Sequence, residues 1–146
     1  MLKLKQFQVQ SARPLPIIVL ADTSASMSVD GKIDALNKAL KEMISTFASE
    51  SRLRAELQVS VITFGGIAAM HLTLTAAHQI EGFEPLPANG GTPMGAAFQL
   101  ATDMIEDQEI IPSRAYKPVV VLISDGHPTD DINSSFELLM NGERSS

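Results

Sequence analysis

Residues 17–32 read IIVLADTSASMSVDGK, and this stretch decides how the chain folds. Ile17, Ile18, Val19, Leu20 and Ala21 form an unbroken apolar run, the mark of a central parallel strand buried on both faces. The run ends in a carboxylate, Asp22. Three short hydroxyl side chains follow at once, Thr23, Ser24 and Ser26, and Gly31 closes the loop. From Lys32 onward Ile33, Leu36, Leu40, Met43, Ile44 and Phe47 recur at helical spacing, which predicts a helix over 32–48. Lys38, Lys41 and Glu42 fall on its solvated face. A strand that ends in an acid and a cluster of hydroxyls leaves three readings open. The loop is a turn with a helix cap, or Asp22 is catalytic, or the loop is a cradle for a hard metal ion.

Outward from this unit the pattern repeats with variation. A second strand is expected over 57–64 and a third over 68–74, joined by Gly65-Gly66 as a hairpin turn and therefore antiparallel. A Pro- and Gly-rich loop, EGFEPLPANGGTP, leads to Thr92, which stands at a helix N-cap position with Pro93 at the first helical position. Met94, Ala97, Phe98, Ala101, Met104 and Ile105 then share one helix face. The methionines at core spacing read as packing residues. Residues 112–118 form a linker, and 119–123 form another fully apolar strand. That strand also runs into a carboxylate, Asp125, in VVVLISDGHPTDD. Residues 1–15 alternate weakly and are expected to be an arm or edge strand, punctuated near Pro14 and Pro16. Residues 131–140 are weakly helical. Apolar strands alternating with amphipathic helices indicate an α/β sandwich with a mainly parallel sheet and one antiparallel edge strand.

Composition narrows the function. A chain of 146 residues has the size of one domain and can bury a real core. A net charge of −6 disfavours a general nucleic-acid binder, which shows a basic stripe. The absence of cysteine excludes disulfides, zinc–thiolate sites and iron–sulfur clusters. No apolar run approaches the ~18 residues of a membrane span, and MLKLKQFQVQ lacks the apolar core of a signal peptide. The expectation is a soluble cytoplasmic protein whose partners are neither nucleic acid nor membrane.

In open α/β sheets ligands gather at the carboxyl ends of the strands. Three segments should meet there: the loop with Asp22, Ser24 and Ser26, the start of the second helix with Thr92, and the loop with Asp125. Each brings short oxygen-bearing side chains. Magnesium is a hard ion that takes oxygen ligands in near-octahedral geometry and keeps several waters, so this donor set suits it. Taken singly, each segment is no more than a turn or a cap. The case rests on all three occurring in order at one sheet edge.

That order, Asp-x-Ser-x-Ser, a distant Thr in GGTPMG, then SDG, resembles the von Willebrand factor type A (vWA) domain, whose metal-ion-dependent adhesion site uses these five positions. The match covers about 16–131. The segments ADTSASM, GKIDALNKAL, GGTPMGAAF and LISDGHPTDD are similar to the bacterial TerY-type branch, associated with tellurium resistance and stress systems; Ala25 stands where that branch often has Gly. The resemblance implies a three-layer, Rossmann-like sandwich over 16–146. It also implies that Ser24 and Ser26 bind Mg2+ (or Mn2+ or Ca2+) directly, and that Thr92 does so in one state and through water in another. Asp22 and Asp125 then act through water, and Gly91, Gly126 and His127 form the rim. An ion left with uncompensated charge attracts an Asp or Glu of a partner protein. By the same resemblance a kinase or phosphatase of the same system is a candidate partner.

Two enzyme readings compete with a binding module. ADTSAS is similar to the Asp-Thr-Gly motif of aspartic proteases, but that fold is all-β and needs Gly where this chain has Ser24. A magnesium-dependent phosphotransfer or hydrolysis enzyme of α/β type is the stronger rival. It needs a second acid two residues after the nucleophile or a phosphate-cradling loop with Lys, and neither occurs. No base–nucleophile pair is evident, so the chain is expected not to be an enzyme. One departure from the family remains. The SDG loop is normally followed by further strand–helix units, whereas here the sequence ends at Ser146. The strand over 119–123 is then expected at an open sheet edge. Three outcomes are open: a piece of a longer domain, edge-to-edge pairing in a homo-oligomer, or strands supplied by a partner, with the 1–10 arm as an alternative cover.

Overall fold

The computed structural model describes residues 13–50 and 55–124. Residues 1–12 of the expected arm, the expected last helix, and Asp125, Gly126 and His127 lie outside these residues, while 13–15, assigned to the arm, belong to the first strand. Four strands form one sheet in the order β3-β2-β1-β4: β1 (Arg13–Asp22), β2 (Ala55–Gly65), β3 (Ile67–Ala76) and β4 (Val119–Ile123). β1 runs parallel to both β2 and β4, and β3 is antiparallel to β2. The expected mixed sheet is therefore present. Helix α1 (Lys32–Ser49) and helix α2 (Met94–Glu106) flank it.

The two-residue period of the strands sorts the core into two layers. Ile18 and Leu20 of β1, with Ile62 and Phe64 of β2, pack on Met94, Ala97, Phe98, Ala101, Met104 and Ile105 of α2. Ile17, Val19 and Ala21, with Val59 and Val61, pack on Leu36, Leu40 and Ile44 of α1. Every apolar residue assigned to the second helix face is buried, and Lys38, Lys41 and Glu42 are exposed on α1.

β1 is longer than the sequence suggests, because it passes through Pro14 and Pro16. Prolines cannot donate to a ladder and belong where a neighbour is missing. Tyr116 N–H donates to the Pro14 carbonyl at 2.8 Å, which shows that this side of Pro14 faces the β4 side of the sheet. β4 begins to pair only at Ile17. The prolines therefore meet the short segment before β4, where no N–H is required of them. The Arg13 guanidinium seals this end, stacked 4.0 Å from the Tyr116 ring centroid and donating through Nε to the Arg114 carbonyl at 2.8 Å.

β4 stands at the end of the described sheet, as expected, although its fully apolar sequence is that of an interior strand. It pairs with β1 on one side, and among the described residues no strand pairs with its other side. Val119 and Leu122 are nearly half exposed. The expected hairpin turn is present in shortened form, with Gly65 ending β2 and Gly66, at φ 76°, making the turn alone before Ile67.

Candidate metal centre

β1 delivers Asp22 to the carboxyl edge of the sheet with no solvent exposure. Its two carboxylate oxygens are both engaged. Oδ1 accepts the Ser24 N–H at 2.8 Å, and Oδ2 accepts the Ser124 hydroxyl at 2.6 Å. The first bond is the local turn that Asp makes two residues ahead of itself. The second crosses the sheet, because the β1–β4 register sets Ala21 beside Ile123 and so brings the next residues together. Ser24 is buried, and Ser26 lies in a short 3-10 turn, Ala25–Ser28. Their Oγ atoms are 3.0 Å apart. The acid and the two hydroxyls predicted from the opening stretch thus form one cluster.

Thr92 reaches the same edge by a different route. The segment before it has no regular structure, yet it is stitched to the neighbouring loops by its backbone. Asn89 N–H donates to the Thr23 carbonyl at 2.6 Å, Ala25 N–H to the Gly90 carbonyl at 2.8 Å, and Gly66 N–H to the Gly91 carbonyl at 3.1 Å. Gly91, expected at the rim, is exposed there. The close approach requires glycine. A methyl group on Gly65 would overlap the backbone and hydroxyl of Thr23, and one on Gly90, at φ 77°, would overlap the backbone of Gly66. Further back, the Asn37 side chain of α1 grips Leu86 from both sides, accepting its N–H at 2.7 Å and donating to its carbonyl at 3.1 Å.

One expectation is corrected. Thr92 is not the N-cap of α2; the helix runs Met94–Glu106 with Pro93 in the cap position and no side-chain capping bond. Met94 N–H bonds the Thr92 carbonyl at 2.8 Å, a tight turn that leads into the helix. Thr92 is almost fully buried. Sequence reasoning also missed Ser124, Asn37 and the Gly65/Gly66/Gly90 contact. Ser124 had a signal, its place directly after a strand in line with Asp22. Asn37 had none, being one polar residue among several on a helix.

The donor set suits a hard ion. Cis oxygens in an octahedron with ligand distances of about 2.1 Å stand roughly 2.9 Å apart, close to the 3.0 Å between the Ser24 and Ser26 oxygens. No group of three His, Cys, Asp or Glu side chains gathers among the described residues.

A mixed, mainly parallel sheet between helices, with an Asp-x-Ser-x-Ser loop at its carboxyl edge, defines a vWA-type domain. The family model for the von Willebrand factor type A domain matches residues 17–127, and the chain belongs to that family. Solved structures agree on the fold. The vWA protein VWA2 of Sulfolobus acidocaldarius, a paralog of ArnB, is 20% identical with a TM-score of 0.60, over 83% of this chain and 30% of that one. The pilus adhesin SpaC of Lactobacillus rhamnosus GG is 20% identical with a TM-score of 0.66, over 82% of this chain and 16% of that one. The type V pilus tip protein Mfa5 of Porphyromonas gingivalis is 13% identical with a TM-score of 0.61, over 80% and 39%. The chain thus spans well under half the length of these relatives. Comparison with curated proteins finds no match. Domains of this family commonly serve as protein-interaction modules. No helix among the described residues is long and apolar enough to cross a membrane.

Proposed function

We propose that the chain is a metal-ion-dependent protein-binding module. Ser24, Ser26 and Thr92 hold Mg2+ through their hydroxyls, and Asp22 and Asp125 orient its waters. Bound there, the ion supplies a positive charge with an open coordination position that takes a partner's Asp or Glu carboxylate. The observation that carries the reading is the 3.0 Å spacing of the Ser24 and Ser26 oxygens above a fully buried Asp22. Both Asp22 oxygens already accept a protein donor, which favours a carboxylate held back from the ion. A carboxylate held back leaves more of the cation's charge for the partner.

From the TerY-type resemblance we infer a role in a bacterial tellurium-resistance or stress system with a kinase or phosphatase as the candidate partner, and we propose the cytoplasm as its compartment. Titration calorimetry with MgCl2 tests the site. Wild type takes up one ion and an Asp22→Ala/Asp125→Ala variant does not; equal affinity in the two sinks the proposal. A magnesium-dependent phosphatase or ATPase activity, lost in the same variant, would instead support the enzyme rival.

A further inference from the structure

Six large hydrophobic side chains are more than a third exposed among the described residues. The two most exposed, Ile67 at 73% and Val29 at 52%, both stand beside the candidate metal centre. Single exposed apolar residues are ordinary on protein surfaces; the placement and rigidity of these two are not. Val29 N–H donates to the Ser26 carbonyl at 3.4 Å, and the Val29 carbonyl accepts the Lys32 N–H at 3.2 Å, so Val29 is braced between the serine loop and α1. Ile67 follows Gly66, whose N–H is bonded to the carbonyl of Gly91, the neighbour of Thr92. Gly66 is also pressed against Gly90, too closely for any side chain on Gly90. Ile67 cannot fold back without breaking that contact. A turn tip usually carries polar residues; here an isoleucine is held out into solvent, one residue from the loop that bears Thr92.

The charges on this edge narrow the partner further. Asp30 and Asp34 are exposed near Val29, with half-buried Lys32 between them, which leaves this stretch with one net negative charge. A run of acidic residues would be repelled by them. A lone acid, compensated by the ion and bordered by apolar side chains, would not.

We propose that the partner segment is a single Asp or Glu flanked by large apolar residues, which pack on Ile67 to one side and Val29 to the other. This rests on the metal-dependent reading above. The test pans a phage-displayed library of random dodecapeptides on the whole chain in MgCl2 and elutes with chelator. Enriched peptides should carry one acidic residue with Leu, Ile, Val, Met or Phe within two positions. A synthetic peptide of that kind should bind an Ile67→Ser/Val29→Ser variant about tenfold more weakly. Magnesium uptake and thermal midpoint of that variant should match wild type, since neither residue is in the core. Enrichment of acidic runs without apolar neighbours overturns the proposal, as does equal binding to the double variant. Failure of the underlying reading looks different: wild type takes up no magnesium and retains its peptides in chelator.

Discussion

At the scale of single residues, Asp22 shows how much a short motif can and cannot say. Its bond to the Ser24 N–H spans two residues and is implicit in any Asp-x-Ser turn. Its bond to Ser124 spans 102 positions and becomes visible only when strand order is known. Thr92 carries a sharper lesson. Local chemistry makes Thr before Pro a cap, yet the helix starts one residue later than that rule expects. Thr92→Ala should cost about 1 kcal/mol in urea unfolding, while weakening magnesium uptake severely. Unfolding as severe as a core substitution would refute that separation. Ser60 offers the reverse case. Its hydroxyl is fully buried on β2 with no hydrogen-bond partner, opposite the stretch of β3 where the register shifts. Ser60→Ala removes an unsatisfied group and should leave stability unchanged or raise it by about 1 kcal/mol, read from the urea midpoint.

At the scale of elements, periodicity predicted both helices and all four strands, because each buries one face or both against a neighbour. Prediction was weakest for the segment between β3 and α2, where there is no period to read. That segment is ordered by single bonds, and those bonds are testable. Asn37→Ala should cost roughly 1–3 kcal/mol by leaving the Leu86 backbone groups unpaired. It should also loosen the path to Thr92, seen as faster amide exchange at Leu86. Gly90→Ala should be worse, since it combines a steric overlap with a positive φ; a loss of magnesium uptake with the fold retained by circular dichroism is expected. In the core proper, Ile18→Ala should cost ~2–4 kcal/mol, independent of metal. A loss that chelator alters would show Ile18 coupled to the site.

At the scale of the whole molecule, β4 is the element whose surroundings decide behaviour in solution. Its side away from β1 has no strand partner among the described residues, and Val119 and Leu122 are exposed. Such an edge invites pairing with another chain. The chain alone is expected to show a scattering mass that rises with concentration, and Leu122→Lys should suppress the rise. A concentration-independent monomer mass for wild type would show the edge to be covered. Its composition reads as that of an interior strand, but five apolar residues in a row say nothing about which neighbours are present.

The two prolines of β1 have a consequence for that same strand. Their side of the chain offers β4 no N–H donor below Ile17, and the Pro14 carbonyl is already taken by the Tyr116 N–H, so a slide toward the start of β1 would leave β4 carbonyls unpaired. A slide by one residue in either direction would turn its inward side chains outward. Pro14 and Pro16 thus behave as an end-stop, a mechanical datum from which the height of β4 is set. Ser124 meets Asp22 at the far end of the sheet because the opposite end cannot shift. The alignment of the hydroxyl cluster is, in that sense, gauged from the bottom of the molecule.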